Sequence, residues 1–247
     1  MSKAQTMREH FVFKETSGWI TADEKKCIEI AKRQLREHRK ELERFIRWHP
    51  FFLVTLEPYH YHIEESVEGE KIPEVVRRMI NASSMFGIGP MSAVAGTLAE
   101  LAVEAMHDAG ATHAIVDNGG DVALINDREV LVGIYAGDSP FSNRIALRIK
   151  PSSSLIGICT SSGTVGHSIN FGYVDAATVL SDSAALSDAA ATALGNSIKN
   201  TDTPHALHDC FRSIAHVPRI KGALVIYRDV LAKWGEIPQL VRLNHKD

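Results

Sequence analysis

Between Pro151 and Ile198 the chain carries no Lys, no Arg and no Glu, and its only charges are Asp175, Asp182 and Asp188. A stretch of that length without a cation cannot hold an anionic ligand through its own side-chain charges. A phosphate that meets it has to be held by backbone N–H groups, hydroxyls or a metal ion. Within it, residues 155–160 read as a strand, 161–172 as a loop of hydroxyls and glycines, 175–180 as a second strand, and 183–196 as an alanine-rich helix. In that helix Asp188 and Thr192 stand four residues apart and share a face, with Leu186, Ala190 and Leu194 roughly opposite. A carboxylate and a hydroxyl one turn apart offer two hard oxygens, the ligand type that Mg²⁺ takes. The same spacing also suits a tightly packed helix whose polar pair faces water.

The rest of the chain reads as alternating small elements. Phe11–Phe13 and Trp19–Thr21 flank a turn and predict an opening hairpin. Apolar residues from Cys27 to Ile46 recur at helical spacing, so a long amphipathic helix starts near Thr21 or Asp23 and ends before Pro50. Its charged face alternates in sign, which fits a solvated surface better than a nucleic-acid patch. A dimer face on this helix and a plain domain surface both stay open. Pro73 opens a short helix, and Pro90 opens a longer one that stops at Gly110. Gly87 and Gly89 precede that helix and read either as anion-binding backbone or as a structural turn. Strands follow at 114–116, 122–125, 130–135 and 144–149, with Asn118-Gly119-Gly120-Asp121 as a hairpin turn. Another helix is expected at 204–214 and a closing hairpin at 223–234.

Several classes are excluded. The 45% apolar and 23% charged composition is that of a soluble globular chain, and 247 residues suffice for a real core. Cys27, Cys159 and Cys210 are odd in number, far apart and without C-x-x-C spacing, which fits a reducing compartment rather than a disulfide scaffold. No apolar run reaches a membrane span, and the opening residues lack an apolar signal core, so the expected location is cytoplasmic. A net charge of −3 gives no nucleic-acid footprint. The loop after Thr160 is neither a nucleophile elbow nor a Walker loop; its Ser161, Ser162 and Gly163 suit a phosphate cradle, and His167 suits proton transfer near neutral pH. A plain polar loop explains the same residues.

Taken in order, Gly87-Ile-Gly-Pro-Met-Ser-Ala-Val-Ala-Gly96, Val116-Asp-Asn-Gly-Gly-Asp121, Ile158-Cys-Thr-Ser-Ser-Gly163 and Ser187-Asp-Ala-Ala-Ala-Thr-Ala-Leu194 resemble the ApbE superfamily of FAD:protein FMN transferases, and more closely a smaller ApbE-like branch. The resemblance covers about residues 85–200. It implies an α+β, bilobed fold with mixed β-sheets flanked by helices, built over residues 1–247 as one domain or as two intimately packed lobes. It implies Mg²⁺ held by Asp188 and Thr192 and engaging the pyrophosphate of FAD, with FAD or FMN as the flavin bound. Gly87, Gly89, Asn118, Gly119, Gly120, Asp121, Thr160, Ser161, Ser162 and Gly163 would line the ligand, and His167 would be the catalytic base. A protein acceptor is the family's partner. Two departures stand out. The Lys-Gly that precedes the family's long helix is replaced by Ile88-Gly89-Pro90-Met91, and the Pro-Arg-Thr-Gly segment is absent after His167. A non-catalytic binding module and an enzyme acting on another phosphorylated metabolite are therefore the competing readings.

Overall fold

The computed structural model describes residues 6–61, 71–163, 173–198, 207 and 209–243. The chain opens with the expected hairpin, β1 (Met7–Phe13) and β2 (Thr16–Ala22), followed by α1 (Lys25–Trp48) and a single turn, α2 (Phe51–Val54). Thr21 remains in β2 and Glu24 takes the position before α1, so neither Thr21 nor Asp23 caps that helix. Next come α3 (Glu74–Ser84), a 3₁₀ turn (Pro90–Ala93) and α4 (Val94–Asp108). The strands β3 (Ala114–Asn118), β4 (Asp121–Asn126), β5 (Val130–Gly133), β6 (Ile145–Ile149), β7 (Ser152–Ser161) and β8 (Ala176–Ser181) lead to α5 (Ala184–Ser197). Then α6 (Arg212–Ala215), β9 (Ile220–Tyr227), β10 (Val230–Gly235) and β11 (Gln239–Arg242) close the chain. Of the expected 204–214 helix, residues 207 and 209–214 are described: 207 and 209 are helical, a turn follows at 210–211, and α6 begins at Arg212. The short strand β11 has no counterpart in the sequence reading, because four residues without a turn signal carry too little pattern.

The class is α+β, as expected. Eight strands form one sheet in the order β1-β2-β3-β4-β7-β8-β9-β10, and β11-β6-β5 form a second. Every described pairing is antiparallel, so the expected mixture of strand directions is not present among the described residues. Successive residues of a strand point to opposite faces. Here Ala123, Ile125, Cys159, Val179 and Val225 face the helices, while Val122, Leu124, Ile158, Leu180 and Leu224 face the small sheet. The result is three layers: helices, the large sheet, and a small sheet covering only part of it.

The alanine-rich helix has a steric explanation. α5 lies between α4 and strands β7 and β8, and its residues are buried from Ala184 to Gly195. A Cβ on Gly157 of β7 would stand 2.5 Å from the backbone of Ala184, and one on Gly96 of α4 would stand 2.7 Å from the Asp188 Cβ. Only small residues permit such approaches. α5 is an interior helix, and its polar pair is not solvated: Asp188 and Thr192 are each 8% exposed.

Candidate functional site

The two helices exchange carboxylates. Asp188, on α5, accepts from the N–H groups of Gly96 (2.8 Å) and Ala95 at the start of α4. Glu100, on α4, accepts from the Ser183 hydroxyl (2.6 Å) and the Ala185 N–H (3.1 Å) at the start of α5. The first N–H groups of a helix lack partners within it and carry the positive end of its dipole. Each helix therefore supplies the anion for the other's amino end. The other Glu100 oxygen is held by Arg78 (2.7 Å), which also binds Glu104. Ser183 caps α5 as well, accepting from the Leu186 N–H (3.2 Å).

This exchange fixes Asp188 beside a second carboxylate. Asp121 starts β4 opposite Cys159 of β7, on the strand face that meets the helices. The Cys159 thiol stands between the Asp121 carboxyl and the Ala184 carbonyl, to which it donates at 3.3 Å. Burial raises Asp121 well above the usual carboxylate range, and the charge of Asp188 adds to the rise. Burial pushes Asp188 up to about 7, against the two backbone N–H bonds that favour its charged form. The carboxylates at 121 and 188 thus disfavour each other's ionisation in a site that low polarity makes costly for charge.

Around Asp121 opens a cleft of about 1580 Å³. Asn118, Gly119, Gly120, Thr160 and Ser162 line it. Gly119 and Gly120 both adopt positive φ, +73° and +103°, as a two-residue hairpin turn requires. The Asn118 amide donates to the Ala95 carbonyl (3.1 Å), tying this turn to the start of α4. Thr160 meets Thr178 hydroxyl to hydroxyl at 2.9 Å. Ser161, one residue on, is buried on the opposite face, and the Gly163 N–H is bonded to the Val174 carbonyl (3.0 Å). His167 lies outside the described residues.

Gly87 and Gly89 do not join this group. The Gly87 N–H bonds to the Ser84 carbonyl (3.2 Å), and the Gly89 N–H bonds to the Leu56 carbonyl (2.9 Å). A Cβ on Gly89 would stand 2.9 Å from the Thr55 carbonyl carbon. These glycines make a turn and a backbone contact, and their N–H groups are already spent. The anion-binding half of their sequence reading is corrected accordingly.

The cleft also receives what the 151–198 stretch lacks. Arg8, Lys14, Arg39 and Arg47 line it from the first 47 residues. Lys14 pairs with Glu43, and Arg39 pairs with Glu15 and, at 3.4 Å, with Glu43. Arg8 stacks on Trp19, its guanidinium carbon 4.6 Å from the ring centroid. Sequence reasoning assigned the α1 charges to solvent and missed this wall. The signal was available in the hairpin's register, which places Arg8, His10 and Trp19 on one face.

A metal ion fits the interior of the site by donor chemistry. Among the described residues no three His, Cys, Asp or Glu side chains form a ready-made cage. Mg²⁺ does not need one: it is commonly held by one or two carboxylates, with waters and ligand phosphates completing its shell. Asp121 and Asp188 are two such carboxylates, near enough that the charge of Asp188 raises Asp121.

Comparison with known proteins agrees with this fold. A family model described as "AbpE bacteria" matches residues 1–213. The UPF0280 protein of Methanosarcina barkeri is 51% identical over 238 residues, covering 96% of this chain and 90% of the relative. That of Methanococcoides burtonii is 51% identical over 239 residues and 96% of each chain. The apo flavinyl transferase ApbE of Pseudomonas stutzeri has a similar fold, with a TM-score of 0.58 at 11% identity over 93% of this chain and 94% of that one. The flavin transferase ApbE of Vibrio cholerae gives 0.53 at 14% identity over 94% and 97%. No described helix is long and apolar enough to cross a membrane. With its helices laid on one face of an antiparallel sheet and its carboxylates gathered where α4 meets α5, the chain belongs to the AbpE bacteria family and to the UPF0280 proteins, on the fold of the ApbE flavin transferases.

Proposed function

We propose that the cleft binds a flavin nucleotide, FAD or FMN, or a similar pyrophosphate ligand in a Mg²⁺-dependent manner, and that its reaction is FMN transfer to a protein or cleavage of the FAD pyrophosphate. The observation that carries this reading is the Asp121–Asp188 pair: Asp121 lines the cleft, and Asp188, buried behind it, is near enough for its charge to raise Asp121. Asp188 and Thr192 would hold the ion, with Asp121 beside them. The bound ion would offset charge on the phosphates as it builds. The Asn118–Gly120 turn and the hydroxyls of Thr160 and Ser162 would orient the ligand. His167 is the residue assigned to proton transfer. The similarity to flavin transferases supports the ligand class, and the cytoplasmic location belongs to the same proposal.

The test is a titration of purified protein with FAD, with and without Mg²⁺, followed by assay for AMP, FMN and flavinylated protein. Binding should require Mg²⁺ and be lost in Asp188→Asn. Equal binding with and without the metal, unchanged in the variant, would overturn the reading. A second reading is favoured by the replacement of the family's lysine with Ile88-Gly89-Pro90-Met91. There the protein holds the flavin without turning it over, and a stoichiometric yellow complex without AMP release would establish it.

A further inference from the structure

Among the described residues four strands stand at sheet edges, and three of them carry charge. β1 has Arg8 and Glu9, β10 has Lys233, and β11 has Arg242. The fourth, β5, is Val130-Leu131-Val132-Gly133, without charge or proline. Proteins blunt exposed edges with charges, because unpaired N–H and C=O groups recruit other strands. β5 lacks that protection.

Its open side can be read from the pairing. The Ile134 N–H donates to the Ile145 carbonyl (3.1 Å), and Val132 faces Leu147 in the same register. Bonded pairs alternate along an antiparallel ladder. Residues 130, 132 and 134 therefore bond to β6, while the N–H and C=O groups of Leu131 and Gly133 point away from it. Among the described residues no strand pairs with them.

The place they point to is the uncovered part of the large sheet. Side chains of β4, β7, β8 and β9 are buried under the small sheet. Across β3, β2 and β1 the cover ends, and Trp19 is left 40% exposed. β5 and the exposed face of β1–β3 line the same cleft. A strand added to β5 would lie about 4.8 Å from it and about 10 Å above that face, the ordinary spacings of paired strands and packed sheets. It would extend the small sheet over Trp19, Thr21 and Ile115.

We infer that the β5 edge docks an extended segment of a partner polypeptide by strand addition. Main-chain bonds to Leu131 and Gly133 would give affinity, and alternate side chains would meet Trp19 and Arg8. No carboxylate pairs with Arg8 among the described residues, so acidic side chains suit that wall. A second copy fits poorly: two-fold pairing of β5 with itself needs both edges at a protruding surface, whereas this edge lies along a cleft beneath the hairpin wall. Identifying the segment as a flavin acceptor rests on the reading proposed above; the docking edge itself does not.

The probe is a capped heptapeptide alternating valine with glutamate and threonine, compared with the same peptide N-methylated at alternate amides. Hydrogen exchange of the assigned amides in the full-length protein is the readout. The plain peptide should slow exchange at Leu131 and Gly133 at least tenfold and shift Trp19 emission; the N-methylated one should do neither. Leu131→Pro, which removes an outward N–H without breaking a bond to β6, should abolish the protection. The methylated peptide keeps the test independent of any folding defect in that variant. Absence of protection, equal protection by both peptides, or protection that rises with protein concentration alone would overturn the inference. FAD binding, titrated separately, tells the two readings apart: protection without FAD binding leaves the docking edge and removes the acceptor, and the converse removes the edge alone.

Discussion

The cleft and the packed interior behind Asp121 are two sides of the site built on opposite principles. Where α4, α5 and β7 meet, charge is carboxylate, buried, and held by backbone N–H groups across glycine and alanine contacts. On the wall formed by β1, β2 and α1, charge is cationic, carried on long side chains and shared among neighbours near water. The first side gains its energy from position and loses it when geometry shifts. The second is screened by salt and tolerates loss of a partner. An anionic ligand lying between them would meet fixed chemistry on one side and adjustable attraction on the other.

The sharpest way to break the interior side is steric. By helix propensity alone, Gly96→Ala would stabilise α4 by about 1 kcal/mol. The added Cβ, however, would stand 2.7 Å from the Asp188 Cβ and 2.8 Å from the Ala184 carbonyl carbon, and the latter is backbone that cannot yield cheaply. Overpacking of that kind costs about 3 kcal/mol. Urea denaturation should therefore show a clear net loss, with Mg²⁺-dependent FAD binding lost alongside it. A gain in stability would mean that the helices separate easily.

Comparable in size is Glu100→Ala. It leaves the Ser183 hydroxyl and the Ala185 N–H without their carboxylate and takes one of Arg78's partners. Removal of a buried charged hydrogen-bond partner costs about 2–3 kcal/mol. Glu100→Gln, which keeps an acceptor, should lose roughly half as much. Equal losses in the two variants would show that the charge, rather than the hydrogen bonds, carries the contribution.

These two residues also mark where sequence reading stops. The Asp188–Thr192 spacing, the Asn118–Gly120 turn and the strand into Thr160 were legible because each is a local pattern with a local cause. That α5 is interior was half-legible: its six alanines between Ala184 and Ala193 permit close packing, but composition does not say on how many sides. The exchange between Asp188 and Glu100 was not legible, since it joins residues about 90 apart through a helix crossing. Gly87 and Gly89 misled for the same reason. Glycine before a helix suits an anion, and only the fold shows the Leu56 carbonyl occupying the Gly89 N–H. Most of the α1 charges read as solvated, Arg36, Glu37, Lys40 and Arg44 among them, are exposed; what the pattern did not show is that Arg39 and Glu43 of the same helix also line the cleft.

A smaller effect follows from pH. Burial holds the folded pKa of Asp188 at about 7 and raises Asp121, whereas an unfolded aspartate titrates near 3.9. Between those values the folded state binds more protons than the unfolded one. The contribution of the pair is therefore full below about pH 4 and is lost as pH rises through 7. Melting temperature, measured without divalent ions, should fall over that range. Asp188→Asn should flatten the slope, and Mg²⁺ should do the same in the wild-type protein by favouring the charged carboxylates. A slope unchanged by both would separate the pair from the metal.

The smallest expected effect tests the outer side. Arg47 is exposed, lines the cleft, and pairs with no carboxylate among the described residues. Arg47→Gln should change stability by less than about 0.5 kcal/mol, as exposed substitutions away from caps and cores usually do. If this wall attracts an anionic ligand, the variant should weaken FAD binding by about threefold at low salt, and the difference should vanish near 1 M salt, where the screening length is about 3 Å. A loss that persists at high salt would place Arg47 in direct, desolvated contact with the ligand. The two sides would then be alike in kind, and the distinction between a fixed interior and an adjustable rim would fail at that residue.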